Sequence, residues 1–148
     1  MSNTWTILWV EDDHENLDAA LLPVTRQGVK VVGCSSFIEA QTRLETETYD
    51  LFLIDLILPL QPYNEETATA HDDAQEKHLP WYWGVELIKF VREKYTSTPV
   101  IVFSVVYDPI VNATLTEIGI EASYTKGTQS NSELCDKIVE LCKRETKA

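Results

Sequence analysis

The feature that most constrains the fold of this chain is an alternation of strand-like and helix-like segments that repeats five times. Each unit begins with a short apolar or β-branched run and continues with apolar residues at the three- and four-residue spacing of one helix face. Five such units joined by short loops predict a doubly wound α/β fold, in which helices cover both faces of a five-stranded parallel sheet. The predicted strands are residues 5–10, 29–34, 51–54, 100–105 and 123–125.

The third predicted strand, residues 51–54, is apolar at every position. A strand that is apolar on both faces is buried on both faces, as in a parallel sheet covered by helices. Gly28 is a typical end of the first helix, and Ser130 and Glu133 have the spacing of a capping box ahead of the last one. The residues predicted to form the five helix faces are Leu17, Ala20, Leu21 and Val24; Phe37, Ala40 and Leu44; Leu87, Ile88, Val91 and Tyr95; Val111, Thr114, Leu115 and Ile118; and Leu134, Ile138 and Leu141.

The alternation is interrupted once, between the third strand and the third helix. Residues 60–83 contain six charges, five of them acidic, and end in the aromatic cluster Trp81-Tyr82-Trp83. They add no convincing stripe of apolar residues at helix or strand spacing. We therefore predict a single domain over residues 1–148, with residues 60–83 as an insertion whose acids raise the local negative potential.

Two interpretations of this insertion remain open. The simpler one is an acidic loop that the three aromatic residues hold against the body of the domain. The alternative is a partner-docking element, since aromatic anchors dominate protein interfaces. Transition-metal binding by the residue types within it is a weaker hypothesis, because their spacing implies no particular arrangement. The residues concerned are His71, Asp72, Asp73 and His78.

The composition is that of an acidic globular protein. Of its 148 residues, 44% are hydrophobic and 24% are charged, which is an ordinary balance for one folded domain. The net charge of −12 would repel a phosphate backbone, and the sequence has no basic patch that could offset this repulsion. We therefore expect no binding to nucleic acid.

Location and redox state are also indicated by the sequence. No apolar run reaches the ~18 residues of a membrane span, and no basic segment precedes the first apolar stretch, so we expect neither membrane insertion nor a signal peptide. Cys34, Cys135 and Cys142 lack metal-type spacing. The last two lie roughly 10 Å apart along one helix, which is too far for a disulfide. Free thiols in a reducing cytoplasm are the simplest interpretation.

Polar residues stand at the ends of four predicted strands, on the sheet edge where doubly wound folds bind ligands. The first strand runs into three consecutive acids, residues 11–13, and the third strand ends on Asp55. Ser104 lies near the end of the fourth strand, and Lys126 follows the fifth. Because four strand ends supply acid, acid, hydroxyl and amine, we predict that they form one site.

The acids Glu11, Asp12 and Asp13 have three possible roles, and the residues alone leave these open. Asp12 and Asp55, on neighbouring strand ends, can share a small hard cation such as Mg²⁺, which prefers carboxylate and water oxygens. The second role is a helix cap with solvated neighbours, for which Asp13 is best placed. The third is general acid–base chemistry. With a cation beside it, a carboxylate near a hydroxyl and an ammonium can also accept a phosphoryl group.

The sequence resembles the receiver domain of two-component response regulators, which has a flavodoxin-like fold. The motifs that carry the resemblance are ILWVEDD at the first strand, LFLIDLILP at the third, PVIVFS at the fourth and the lysine at position 126. The spacing from Ser104 to Lys126 is also similar, and the resemblance covers nearly the whole chain outside the insertion. An acidic pair after a strand is common, so the order of the whole set is what makes the resemblance specific.

The resemblance implies a role for each residue of the site. Asp55 would be the phosphoacceptor. Asp12 would bind Mg²⁺ directly, Glu11 would act through water, and the backbone carbonyl of Ile57 would be a further ligand. The remaining roles implied by the resemblance are Ser104 as the switch hydroxyl and Lys126 as the amine that pairs with the phosphoryl group.

The resemblance also implies the partners. A histidine kinase or a phosphotransfer protein would supply the phosphoryl group, and an output protein of unknown identity would receive the signal. Only 22 residues follow Lys126, enough for the last helix, so we expect output through protein–protein contact or onward phosphotransfer.

Three positions depart from the pattern of the family. Gly127 follows the lysine where most receivers have proline, so the direction of the lysine can differ. Val105 follows the switch hydroxyl where the family usually has a small residue, and its branched side chain can restrict access to the acceptor. Ser123 replaces the usual aromatic, while Tyr124 points to the opposite face of an alternating strand, so the usual aromatic readout is expected to be missing.

Two other functions have some support in the sequence. A phosphorylation-independent adaptor on the same fold is favoured by these departures and by the insertion. A phosphatase of the haloacid-dehalogenase type also uses a strand-end aspartate as nucleophile, but it needs a second aspartate two residues later, where this chain has Ile57. We therefore expect a signalling protein and no enzyme.

Overall fold

The computed structural model describes residues 4–12, 21–61, 83–105, 108–126 and 131–147. Within these ranges, strands and helices alternate along the chain as the apolar pattern predicted. In chain order the elements are β1 (Thr6–Val10), α1 (Leu22–Arg26), β2 (Lys30–Cys34), α2 (Phe37–Thr46), β3 (Leu51–Ile54), α3 (Trp83–Lys94), β4 (Val100–Ser104), α4 (Pro109–Ile118), β5 (Ala122–Thr125) and α5 (Asn131–Lys147).

The strands form one sheet in the order β2-β1-β3-β4-β5, and every neighbouring pair is parallel. The predicted doubly wound, flavodoxin-like fold is confirmed. The strand order reverses between β1 and β3, which lie side by side with Val10 opposite Ile54. Ligands of doubly wound sheets bind beyond the carboxyl ends of the strands at such a reversal. The residues that follow β1 and β3 are therefore neighbours at this point.

The central strands are buried on both faces, and alternate residues enter two separate cores. In β3, Phe52 and Ile54 belong to the first core, which is covered by α2, α3 and α4, while Leu51 and Leu53 belong to the second, which is covered by α1 and α5. Since successive side chains of a strand point to opposite faces, a strand covered on both sides must be apolar at every position. This explains the uninterrupted apolar run of β3.

The predicted apolar faces of the described helices point into these cores. Gly28 follows α1 with φ of 92°, a conformation that costs glycine little and ends the helix as predicted. Cys34, Cys135 and Cys142 are buried and none of them forms a disulfide, in agreement with the predicted thiols. The buried members of the predicted faces are Leu21 and Val24; Ala40 and Leu44; Leu87, Ile88 and Val91; Leu115; and Leu134, Ile138 and Leu141.

The observed strands differ from the predicted ones by single residues at their ends. Val29 lies in the turn before β2, where its N–H donates to the carbonyl of Val24 rather than to the sheet. The last residue of β4, Ser104, is paired with Thr125 of β5. Val105 lies beyond this pair and is 64% exposed. The apolar pattern includes both valines, but only the pairing of neighbouring strands decides where a strand ends.

Several predictions concern residues outside the described ranges. Trp83 is described, begins α3 and packs half-buried against the first core, so at least one of the three clustered aromatics contacts the body of the domain. None of the described helices has both the length and the apolar composition of a membrane span. The predicted features that lie outside the described residues are Asp13, Leu17, Ala20, most of the insertion with His71, Asp72, Asp73, His78, Trp81 and Tyr82, and also Gly127 and Ser130.

Candidate functional site

Backbone hydrogen bonds extend the sheet one residue past its strands and thereby align the candidate site residues. The N–H of Asp55 donates to the carbonyl of Val10 over 3.0 Å, and the N–H of Lys126 donates to the carbonyl of Ser104 over 2.8 Å. Asp55 is therefore held directly beside the end of β1, and Lys126 beside the end of β4. The strand ends named from the sequence meet at one edge of the sheet.

The acids that follow β1 and β3 form one cluster. One carboxylate oxygen from each of Glu11, Asp12 and Asp55 lies within 4.8 Å of the other two. Glu11 and Asp55 are buried, whereas Asp12 is exposed. The structure therefore brings together the three acids that the resemblance assigns to Mg²⁺, and one of them remains open to solvent.

Lys126 reaches back across the sheet edge to two of these acids. Its ammonium donates to Oδ2 of Asp55 over 3.0 Å and also donates to Oε1 of Glu11. Its side chain is only 11% exposed. The resemblance implies that this amine pairs with a phosphoryl group, whereas the ion pair with Glu11 was not predicted. The ammonium offsets the repulsion that the two buried carboxylates would otherwise exert on each other.

The pKa values of this cluster reflect its concentrated negative charge. Burial, followed by the charge of Asp55, raises the pKa of Glu11 to about 8 despite the opposing effect of Lys126. Burial and the same neighbouring charge also raise the pKa of Asp12. Burial alone would lower the pKa of Lys126, but the Glu11 and Asp55 carboxylates outweigh it and the pKa is raised. A cation bound among these acids would favour their ionised forms.

The carboxylate of Asp55 is held at both oxygens. Oδ1 accepts a hydrogen bond of 3.0 Å from the N–H of Ile57, and Oδ2 accepts the one from Lys126. The backbone of Ile57 therefore lies beside Asp55, where the resemblance places a further metal ligand at its carbonyl. That ligand role remains a prediction, but the orientation of the Asp55 carboxylate is determined by these two donors.

Ser104 and its neighbours occupy the far side of the same edge. Ser104 is the last residue of β4 and is 1% exposed. Val105 follows it with its side chain largely in solvent. In β5, Ser123 is exposed, and Tyr124 packs on the second core. No aromatic side chain therefore stands at the position of Ser123. The predicted effects of Val105 and Ser123 on switching stay predictions.

Two contacts of the site were not found from the sequence. The Lys126 ammonium lies 5.6 Å from the ring centroid of Phe103, a buried residue of β4, at a distance suited to a cation–π interaction. A Cβ atom on Gly84 would lie 2.0 Å from the carbonyl oxygen of Asp55, so only glycine fits there. Gly84 lies in the first turn of α3, and its contact with Asp55 depends on how that helix packs.

The donor set fits Mg²⁺. Carboxylates are the hard oxygen ligands that this ion prefers, and the exposed Asp12 leaves room for the waters that it usually retains. A raised pKa also suits general acid–base chemistry, but Glu11 is fully buried and paired with Lys126, which gives a substrate no access to it. Of the three roles considered for these acids, the geometry best supports cation binding.

The fold is that of the receiver domains of response regulators, as three solved structures illustrate. A CheY-like receiver domain from Methanospirillum hungatei is 20% identical in sequence and superposes with a TM-score of 0.75, and the match covers 98% of either chain. The signal receiver domain of a putative Luxo repressor protein from Vibrio parahaemolyticus is 16% identical with a TM-score of 0.74, and the match covers 97% of this chain and 94% of that one.

A third similar structure is the receiver domain of a Francisella response regulator, which is 21% identical with a TM-score of 0.70 over 95% of this chain and 98% of that one. No protein-family model matches the sequence, and no curated protein is significantly similar to it. At these identities the similarity is one of fold, and it confirms the receiver fold that the motifs indicated.

Proposed function

We propose that this protein is a phosphoacceptor of a two-component phosphorelay. It takes a phosphoryl group onto Asp55 from the phosphohistidine of a histidine kinase or a phosphotransfer protein, and it signals through protein–protein contact. The observation that carries the proposal is the position of the Asp55 carboxylate, which lies between the Ile57 N–H and the Lys126 ammonium beside Glu11 and Asp12.

In the transfer step, a carboxylate oxygen of Asp55 attacks the phosphorus atom. The bond between phosphorus and the donor imidazole nitrogen breaks, and its electron pair returns to that nitrogen, so an acyl phosphate forms on Asp55. Lys126, which pairs with the acids before transfer, would then pair with a phosphoryl oxygen, and Ser104 would donate a hydrogen bond to another.

When bound, Mg²⁺ would neutralise charge on the acceptor and phosphoryl oxygens. Asp12 and Asp55 would bind it directly, Glu11 through water, and the carbonyl of Ile57 would complete the protein ligands. The proximity of the three carboxylates supports this assignment. Mutual repulsion among them also supplies a reason for the site to take up a cation.

Kinase-linked signalling is supported by the structural neighbours. One of them is the signal receiver domain of a signal transduction histidine kinase from Syntrophus aciditrophicus, with 18% identity and a TM-score of 0.69. We propose that the present protein acts in the same kind of signalling, in the cytoplasm, without turning over a small-molecule substrate and without binding nucleic acid or membrane.

The proposed function can be tested with acetyl phosphate as the donor and intact-mass measurement as the readout. The wild type should gain one phosphoryl group in Mg²⁺ and none in EDTA, and Asp55→Asn should gain none. Asp108→Asn is a matched control, since Asp108 is not one of the three clustered acids. Its side chain caps α4, and asparagine caps a helix equally well. Equal phosphorylation of wild type and Asp55→Asn would disprove the proposed acceptor.

A second candidate is an adaptor whose partner binding does not depend on phosphorylation. The observation in its favour is that Ser123 is exposed while Tyr124 packs on the second core, so the strand lacks the aromatic readout of the family. The two functions differ in one measurable way. An adaptor would bind its partner equally well as wild type and as Asp55→Asn, with or without acetyl phosphate.

A further inference from the structure

We propose that Trp83 and Phe37 form a clamp that positions the phosphoacceptor loop, residues 55–60. The clamp holds this loop against the start of α2 and the start of α3. This inference rests on the proposed role of Asp55 as acceptor. It assigns a positioning function to two aromatic residues that lie outside the acid cluster. The clamp consists of the contacts that Phe37 and Ile38, at the start of α2, make with both sides of the insertion.

The outgoing side of the insertion is tied to α2 through the backbone. The N–H of Phe37 donates to the carbonyl of Pro59 over 3.1 Å, and the N–H of Ile38 donates to the carbonyl of Leu60 over 3.0 Å. The first N–H groups of a helix have no partner within the helix. Two of them are satisfied by the phosphoacceptor loop, so this loop and the start of α2 are held together.

The returning side of the insertion is tied to the same residue through its side chain. Trp83 begins α3, and its ring centroid lies 5.2 Å from that of Phe37 with the ring planes tilted by 51°. Both rings are half-buried and pack against the first core. Phe37 therefore contacts the chain on both sides of residues 62–82, by its N–H on one side and by its ring on the other.

The clamp is connected to Asp55 through Gly84, the residue after Trp83. The N–H of Gly84 donates to the carbonyl of Leu56 over 3.2 Å, and a Cβ atom on Gly84 would lie 2.6 Å from the Cα atom of Leu56. The first turn of α3 thus lies directly against the peptide that joins Asp55 to Leu56. A displacement of Trp83 would displace that peptide and with it the acceptor carboxylate.

The insertion gives a physical reason for such a clamp. Closing a loop costs more conformational entropy as the loop becomes longer. A connection as long as residues 62–82 therefore needs more stabilising contacts than a short one to keep Gly84 beside Asp55. A tilted aromatic pair contributes binding energy beyond the area it buries. The contact between Trp83 and Phe37 can therefore offset the additional entropy cost of the longer connection.

The test measures two quantities in wild type, Trp83→Ala and Trp83→Phe: amide hydrogen exchange of residues 55–60, and the rate of Asp55 phosphorylation by acetyl phosphate with Mg²⁺. Trp83→Ala should speed exchange in this loop and slow phosphorylation by about tenfold, since small displacements of a reacting group are costly. Trp83→Phe keeps an aromatic ring, so its loop exchange and its phosphorylation rate should stay near those of the wild type. Phe90→Ala removes a half-buried ring from the same helix and should change neither.

A second comparison uses the chain in which Leu60 is joined to Pro80 by a short Gly-Ser linker. Trp83→Ala should have a smaller effect on both quantities in this shortened chain than in the full one. Where Trp83→Ala does not fold, Phe37→Leu removes the other ring and the same measurements are made on it. An equal effect in the short and full chains would show that the contact does not compensate for the insertion and would overturn the proposal.

Exchange distinguishes failure of the clamp from failure of the proposed function, because it needs no phosphoryl transfer. A wild type that cannot be phosphorylated would reject Asp55 as acceptor, and the exchange of residues 55–60 would still report on the clamp. Unchanged exchange of this loop in Trp83→Ala would overturn the clamp. An equal rise in the hydrogen exchange of β1 would also overturn the clamp, because the tryptophan would then stabilise the domain as a whole rather than the loop.

Discussion

The ammonium nitrogen of Lys126 lies 3.0 Å from Oδ2 of Asp55, although the two residues follow different strands and are 71 positions apart in the chain. The same ammonium donates to Glu11. Lys126 therefore acts as an internal cation between two buried carboxylates. A bound metal ion would compete with Lys126 for the carboxylate oxygens. A phosphoryl group would compete with the carboxylates for the ammonium, and both competitions can be measured.

Lys126→Ala should lower the stability of the domain most strongly when no metal ion is present. Removing one member of a buried ion pair leaves the other charges uncompensated, so we expect a loss of about 3 kcal/mol in the free energy of unfolding in EDTA. Mg²⁺ should restore part of this loss, because a divalent cation can take over the role of the ammonium. Urea unfolding with and without Mg²⁺ measures both effects.

Two further variants control for this experiment. Lys137→Ala breaks a surface pair with Glu140 on α5 and should cost at most about 1 kcal/mol, with no response to Mg²⁺. Lys126→Met retains most of the side-chain volume without the charge and should behave like the alanine variant. Wild-type stability of both Lys126 variants in EDTA would mean that the ion pairs contribute nothing.

Mg²⁺ binding should depend on Asp12. Asp12→Asn removes one charged oxygen ligand, and the affinity should fall by at least about tenfold. Tryptophan fluorescence during a Mg²⁺ titration provides the measurement, since Trp9 lies in β1, two residues before Glu11 in the sequence. Asp108→Asn, at the N-cap of α4, serves as the control and should bind as wild type does. Equal affinity in all three proteins would place the metal ion elsewhere.

Gly84→Ala should disturb both the fold and the acceptor. The added Cβ would lie 2.0 Å from the carbonyl oxygen of Asp55, and the atoms in contact belong to the backbone and cannot rotate away. We expect a loss of at least about 3 kcal/mol in the free energy of unfolding, the upper end for overpacking, together with slower phosphorylation of the folded fraction.

Gly119→Ala is the control for Gly84→Ala. Gly119 has φ of 95°, but the position of its Cβ is open, so only backbone strain opposes the substitution. This change should cost about 1 kcal/mol and leave phosphorylation unaffected. If the two variants were equally stable, the close approach of Gly84 to Asp55 would not be a tight contact in solution.

Shortening the insertion should leave the domain folded. Joining Leu60 to Pro80 through a short Gly-Ser linker removes acidic residues and keeps Trp83 and its contact with Phe37. The entropy of loop closure depends only logarithmically on length, so thermal unfolding should stay within a few degrees of wild type. Phosphorylation should become faster if the removed acids oppose the incoming phosphoryl group. Aggregation of the shortened chain would mean that the insertion belongs to the core.

The sequence predicted the fold and the meeting of the strand-end residues at one edge because both depend on local patterns. The spacing of apolar residues indicates which face of an element is buried. The continuous apolar run of β3 and the acid that follows it are also visible in the sequence. In a parallel sheet the carboxyl ends of all strands share one edge. Glu11, Asp55, Ser104 and Lys126 could therefore be placed together without knowing any contact between them.

Contacts between distant residues were decided only by the tertiary structure. The pairing of Lys126 with Glu11 spans 115 positions, and it depends on the strand order and on the path of one long side chain past Phe103. The meeting of Phe37 with Trp83 depends on how α2 and α3 pack on the same core. A local pattern states that a side chain is buried, but the partner it is buried against is determined by the packing of the whole chain.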